Sequence, residues 1–291
     1  MNKVLRKKIL KTIRPAYELA KKNRITANIM FSSLEFINGI FSYLYNFKKP
    51  NFLHNIKDAE FYADKLVIIS VAFNNVDLIR KQIELSSVCF PADHIFVVAD
   101  NSNNLLKRKE MRDLCVSSDV CYIDLPKNLR TQANLSHGLV LNWLFYSFIK
   151  TIKPYAFGFI DHDIFPLEKV NIKEKLNNFS FYGLQNKKDN DYLKAWYLWA
   201  GFCFFKLSEL SNKKINFSSV VVSDWRGYLE LDTGGGNFES VYKDIDANDV
   251  LFAKYSLGEN GTEYIDEWQH ISKASFKEAG DLLLLLNKLG K

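Results

Sequence analysis

A strand that runs straight into two acids is the feature that most limits how this chain can fold. In Tyr155-Ala-Phe-Gly-Phe-Ile-Asp161-His162-Asp163-Ile-Phe-Pro166, an apolar, aromatic run long enough for one buried strand ends in carboxylates one residue apart. Pro166 then blocks further pairing. In an open α/β sheet the carboxyl ends of the strands line the ligand crevice, so acids there suit a divalent cation held against a phosphorylated ligand. An Asp-x-Asp triplet alone also fits a solvated turn. The strand before it, and the acids and glycines at other strand ends, favour a site.

The pattern from residue 65 onward alternates between strand and helix. Residues 66–72 form a short continuous apolar strand of the kind covered on both faces, and residues 76–88 a helix with Leu78, Ile79, Ile83 and Leu85 inward. Residues 94–99 make a second strand ending at Asp100-Asn-Ser102, and residues 104–116 a second helix. Residues 120–125 make a third strand stopped by Pro126, and residues 133–152 a long apolar helix leading to the strand before Asp161. This βαβαβαβ order predicts a mostly parallel, doubly wound α/β sheet flanked by helices, whose ligand edge collects Phe73, Asn74, Asp100 and Asp161. Beyond residue 178 the order is less regular. Residues 179–184 and 194–205 read as strands, residues 238–256 as a helix and residues 282–286 as a packed helix end. The domain reading is a basic helical extension over residues 1–60 and a catalytic domain over 61–291, divided into a nucleotide-binding half (61–167) and an acceptor half (168–291).

Charge separates the extension from the body. Of 39 Lys and Arg and 33 Asp and Glu, residues 1–60 hold 12 basic against 4 acidic, a balance of +8, which leaves 27 against 29 for the rest. A slightly acidic body argues against a nucleic-acid groove, while a basic extension suits an anionic membrane surface. Residues 3–24 carry nine basic residues and one acid, with Leu5, Ile9, Ile13 and Tyr17 in one helical row. Both a membrane-surface helix and a solvated helix packed on the body fit that pattern. Residues 25–47 show Met30, Leu34, Ile37, Phe41 and Leu44 at helical spacing. Glu35 near the middle would cost about 2.5–3.5 kcal/mol in a bilayer, so the expectation is a helix packed on the body, on a second subunit or in the membrane interface. The four cysteines show no Cys-x-x-Cys pair, and the residues after Met1 are charged, so a reduced cytoplasmic setting without a secretory signal is expected.

With these motifs in view the sequence resembles the glycosyltransferases of the GT-A fold, most like the family 2 type. Val67-Ile-Ile-Ser-Val-Ala-Phe-Asn74, Phe96-Val-Val-Ala-Asp-Asn-Ser102 and Asp161-His-Asp163 carry the resemblance, over about residues 65–167. It implies a nucleoside-diphosphate sugar donor, UDP-linked by preference, bound by Ala72, Phe73, Asn74, Asp100, Asn101, Arg130, Asp161 and His162. In this reading Asp100 contacts the base and Asp161 lies near the ribose, and Asp163, with Asp161 and the late His270, holds Mn²⁺ or Mg²⁺. The loop Asn128-Leu-Arg-Thr-Gln-Ala-Asn-Leu-Ser-His-Gly138 departs from the family pattern at Arg130 and Ser136. The implied acceptor is a glycan or a lipid-linked sugar at the inner membrane face.

The base that an inverting transfer needs is expected at Asp232, in Glu230-Leu-Asp-Thr-Gly-Gly-Gly236, because glycines let another molecule approach the backbone. Asp224, Asp246 and Asp249 compete, and a flexible turn also accounts for the glycines. Trp199, Gly201 and Gly234 are expected on the acceptor side, with Trp196, Tyr197, Trp225 and Trp268 as further rings for stacking or for the core. Three rival readings are weighed, one of them a sugar-phosphate nucleotidyltransferase, whose Gly- and Arg-rich loop after the first strand is missing here. An S-adenosylmethionine methyltransferase also places an acid after its second strand, but its Gly-rich turn after the first strand is missing here. A scaffold that kept the fold and lost activity is the third.

Overall fold

The computed structural model describes residues 24–130, 132–223, 228–272, 274 and 279–289. The expectations for residues 1–23, Asp224 and Trp225 lie outside these. Chain order gives helix α1 (Arg24–Asn46), strand β1 (Phe52–His54), a short α2 (Ala59–Tyr62), β2 (Leu66–Ala72), α3 (Val76–Cys89), β3 (His94–Asp100), α4 (Leu105–Ser117) and β4 (Cys121–Asp124). Next come α5 (Ala133–Trp143, continuing with wider π spacing through Ile149), β5 (Ala156–Asp161), β6 (Ile164–Pro166), α6 (Ile172–Asn177), β7 (Phe181–Asp189) and β8 (Lys194–Lys206). The chain closes with β9 (Val220–Ser223), β10 (Tyr228–Leu231), β11 (Val250–Phe252), β12 (Tyr255–Leu257), β13 (Glu263–Ile265), β14 (Trp268–His270) and α7 (Ala279–Leu286).

Eight strands form one sheet in the order β1-β4-β3-β2-β5-β8-β7-β11. Its centre, β4-β3-β2-β5, is parallel, as the continuous apolar runs require when both faces are covered. Helix α5 packs on the face that carries Val67, Ile69, Val97, Phe157 and Phe159. Helices α3 and α4 pack on the other, against Leu66, Ile68, Val98, Tyr122 and Ile160. The predicted mostly parallel α/β sheet flanked by helices is thus present, with a helix ahead of it. The segments 61–167 and 168–291, expected as separate halves, share this sheet, since β8 pairs antiparallel with β5.

Local chemistry starts the crossover helices where the strands end. Asn75 Oδ1 accepts from Leu78 N at the start of α3, and Asn104 Oδ1 accepts from Leu106 N and Lys107 N at the start of α4. The helix expected over 238–256 does not form. After one turn the chain is broken by Asp244, Asp246 and Asn248, and Val250–Phe252 becomes a parallel edge strand beside Phe181, Tyr182 and Gly183. Edge pairing outweighs the modest helical preference of a segment crowded with Asp and Asn. The short strand β1 was not foreseen either, because a three-residue strand carries no periodicity.

A second, four-stranded sheet, β12-β13-β14-β6, crosses the end of the first. Its strand β6 directly follows the Asp-x-Asp turn, and its register sets His270 opposite Ile164. One buried side chain fixes that turn. Gln82 of α3 donates through Nε2 to the carbonyls of Asp161 (2.9 Å) and Ile164 (2.8 Å) and accepts from Ser70 Oγ (2.7 Å). Replacing Gln82 with Ala leaves two buried carbonyls without a donor, at about 1–3 kcal/mol each. Urea unfolding of Gln82→Ala should therefore show a loss of roughly 2–6 kcal/mol with an unchanged denaturant slope.

Candidate functional site

Strand register brings the expected rim together. Ala72 lies level with Asp100 on one side, and Val71 lies level with Asp161 on the other. The side chains then part company, because successive residues on a strand point to opposite faces. Asp100 shares its face with Phe96 and Val98, beneath α3 and α4, whereas Asp161 shares its face with Phe157 and Phe159, toward α5.

This corrects the role expected of Asp100. Its side chain is fully buried, accepting from Ser102 N (2.8 Å) and Tyr122 Oη (2.9 Å), and burial pushes its pKa up despite those hydrogen bonds. Asp124, level with it on β4, is paired with Arg108 at 2.9 Å. These acids close a loop junction. The residue of this segment that turns toward α5 is the next one, Asn101, whose Nδ2 donates to Ser136 Oγ (3.1 Å) and whose Oδ1 accepts from Asn128 Nδ2 (3.3 Å).

Arg130 also departs from its expected part. Its guanidinium donates to Asn38 Oδ1 (2.8 Å) and stacks 4.0 Å from the Phe41 ring centroid, so it ties the loop to α1. Asn74, in the left-handed region at φ 55°, is a clamp. Its N–H donates to Ser102 Oγ (2.8 Å), and its Oδ1 accepts from the backbone of Asn103 and Asn104. That clamp fills the place where a methyltransferase carries its glycine turn. Ala72 is buried, Phe73 is partly exposed, and His162 Nδ1 lies 3.2 Å from Val71 O.

Around the Asp-x-Asp turn the remaining candidates gather. Asp163 is held mostly out of water beside Asp161, and burial followed by the Asp161 charge pushes its carboxyl pKa up. His270 Nδ1 lies 2.7 Å from Glu263 Oε2, a partner supplied by the β13–β14 hairpin. Its Nε2 lies 3.7 Å from Asp163 Oδ1, so the ring stands between the two carboxylates. The donor set of two carboxylates and an oriented imidazole suits Mn²⁺ or Mg²⁺ in kind. Among the described residues, however, no three His, Cys, Asp or Glu side chains already stand as a ready-made metal cluster.

Asp232 is reached from the same turn through α5, whose first residues had no assigned role in the sequence. Asn134 Nδ2 donates to Asp232 Oδ1 (2.6 Å), and one turn on, His137 Nε2 lies 3.7 Å from Asp161 Oδ1. A single helix turn therefore spans the two carboxylates. Asp232 Oδ1 also accepts from Thr233 N (2.7 Å), and Asp232 N donates to Tyr197 Oη (2.9 Å), which leaves Oδ2 without a hydrogen bond among the described residues.

Two glycines let these parts close up. A Cβ at Gly201 would press on the Trp199 ring and sit 2.6 Å from Asp161 Oδ2. Gly234 has φ 97°, and a Cβ there would lie 2.8 Å from Leu198 O. Trp199 is half-buried, its ring centroid 5.4 Å from that of His270. By contrast, Trp268 and Tyr197 are fully buried, and Trp196 packs on Tyr242 and Phe252, so these rings belong to the core. Asp246 and Asp249 are exposed near the start of β7, away from the turn, because Phe181 pairs with Phe205 and Phe205 with Phe157 at the other end of β5.

The signals that were missed differ in kind. Gln82 was visible as a polar residue in the inward row Leu78, Ile79, Leu85 and Ser86. Glu263 had none, since only the hairpin register brings it opposite His270.

No protein-family model and no curated protein matches this sequence. Solved structures do resemble it. The galactosyltransferase LgtC in complex with donor and acceptor sugar analogues is 11% identical over 77% of this chain and 96% of its own, with a TM-score of 0.44. The mannosyltransferase PcManGT from Pyrobaculum calidifontis in complex with GDP-Man and Mn²⁺ is 14% identical over 63% of this chain, with a TM-score of 0.37. The matched region is 56% of that mannosyltransferase, little more than half its length. S. aureus TarS is 14% identical over 53% of this chain and 30% of its own, with a TM-score of 0.34.

The desolvated Asp163 gives a signed prediction. Because its native pKa lies above the unfolded value, the native state binds the proton more tightly, and stability is lost as the pH rises through the raised value. Asp163→Asn should raise the melting temperature at neutral pH, with the gain shrinking as the pH is lowered toward about 4. Melts across that range check it.

Proposed function

We propose that this chain is a metal-dependent glycosyltransferase of the GT-A type that moves a sugar from a nucleoside diphosphate, first of all UDP, to a glycan or lipid-linked acceptor hydroxyl. One observation carries the reading. Asp161, Asp163, His270 and Asp232, from three separate parts of the chain, are tied to the end of β5 by the α5 turn and the β6–β14 pairing. Family 2 character rests on the motifs at 67–74, 96–102 and 161–163 alone.

In this reading Asp163 and His270, with Asp161, would hold Mn²⁺ or Mg²⁺, which supplies Lewis-acid stabilisation of the charge on the leaving diphosphate. Glu263 keeps the His270 ring turned toward Asp163. Asn101 and His162 line the donor side, with the 73–75 and 101–104 turns stitched together by Asn74. Asp232 acts as base. Its Oδ1 is anchored by Asn134 and Thr233, and Oδ2 takes the proton of the attacking hydroxyl. Trp199 offers a ring face to the acceptor sugar beside Gly201, and the Gly234 turn lets the acceptor come close to the backbone.

Thermal-shift titration with a panel of nucleotide sugars, with and without Mn²⁺, tests the reading. A donor should raise the melting temperature only with the metal, and Asp163→Ala should abolish that dependence. Metal-independent stabilisation, or none across the panel, overturns it. Asp232→Asn should keep donor binding and lower kcat by about 10²–10⁴-fold; equal loss of donor binding would remove Asp232 from the base role.

A further inference from the structure

Helix α1 is amphipathic in the wrong sense for a helix packed on a soluble body. The residues it turns inward are largely polar. Asn38 Oδ1 accepts from Arg130, Ser42 Oγ lies 3.5 Å from Asn142 Nδ2, and Asn46 O accepts from Ser147 Oγ at 3.1 Å. Phe31 and Tyr45 are the buried exceptions, Tyr45 Oη donating to Pro126 O (2.7 Å). The helix is therefore well anchored, and the row of Ile37, Phe41 and Leu44 is exposed.

Its outward face is apolar. Ile29 (63% exposed), Phe36 (71%), Ile40 (44%) and Tyr43 (65%) recur at helical spacing, and Phe47 (69%) extends the stripe past the last turn. Glu35, the helix's one acid, has its Oε1 accepting from Val221 N, so that oxygen is engaged with the body. Exposing several aromatic and aliphatic side chains in one stripe is unfavourable in water and marks a binding face.

We infer that this stripe docks on an anionic lipid surface, lying in the interface plane. Charge selects that occupant. The segment leading into the helix, residues 3–24, carries nine basic residues and one acid, which complements anionic headgroups. No described helix is long and apolar enough to cross a membrane.

The opposite, inward face of the same helix touches the hairpin that leads to Asp232. Phe31 packs on Tyr228 at a 5.0 Å ring separation and Glu35 bonds Val221, so α1 holds the β9–β10 hairpin that leads directly into Asp232. If the transferase reading holds, and this clause rests on it, the acceptor is carried on the lipid surface that α1 touches.

The test is sedimentation of the full chain with phosphatidylcholine vesicles and with vesicles containing phosphatidylglycerol, at low and high salt. The protein should pellet with the anionic vesicles and be partly released by salt. Phe36→Ser/Ile40→Ser/Tyr43→Ser should weaken partition roughly tenfold or more at an unchanged melting temperature, since these side chains are exposed. As a second readout, Phe36→Cys carrying an environment-sensitive dye, added to a chain whose native cysteines are all buried, should brighten with anionic vesicles. Pelleting that the triple variant leaves untouched, or no pelleting by either protein, overturns the inference. So does a dimer by light scattering that the triple variant dissolves, which would make the stripe a self-association surface. None of these measurements contains a nucleotide sugar, so failure here and failure of the transferase reading remain separate results.

Discussion

The site depends on a primary amide buried inside the fold. Where β5 ends and β6 begins, the carbonyls of Asp161 and Ile164 turn away from their strand neighbours, and Gln82 supplies the hydrogens they lack. Because Gln82 also takes the Ser70 hydroxyl, its orientation is set from β2 as well as from the turn. A buried polar network of this kind holds one geometry only when every member is satisfied. That geometry aims Asp161 toward α5, sends Asp163 toward His270 and starts β6 in the register that recruits β14.

Two pairs of acids line the rim of the same sheet and have opposite fates. Asp100 and Asp124 are bound by Ser102, Tyr122 and Arg108, so their charge is absorbed by the loop junction they brace. Asp161 and Asp163 have no Lys or Arg ion pair among the described residues; each has a histidine at 3.7 Å. A desolvated carboxylate next to another costs stability, and the fold tolerates it at the place where a cation would repay the cost. That contrast, more than the presence of an Asp-x-Asp triplet, distinguishes the two halves of the rim.

The same reasoning applies to α1. Polar residues that would be cheap to leave in water are used to fasten the helix to α5 and the β9–β10 hairpin, while rings that would stabilise a core are left outside. A chain gains nothing in water from that exchange. Arg130 links the stripe to the loop before α5, and α5 in turn reaches both Asp161 and Asp232.

Much of this was legible beforehand. Continuous apolar runs determined the parallel centre of the sheet, and the Asp-x-Asp turn marked the end of β5, whereas Pro166, expected to block pairing, lies in β6 opposite Trp268. Those are local properties, fixed by side-chain period and backbone preference within a few residues. Which face a strand-end acid occupies was not legible, and a shift of one position separates Asn101, which faces α5, from Asp100, which is sealed beneath α3 and α4. Nor was the meeting of Asn134 with Asp232, nearly a hundred residues apart, or of Glu263 with His270 across a hairpin. The sequence by itself determined which residues could carry charge at the rim; tertiary structure alone decided which of them were neutralised, because compensation depends on partners that only packing brings within hydrogen-bond reach.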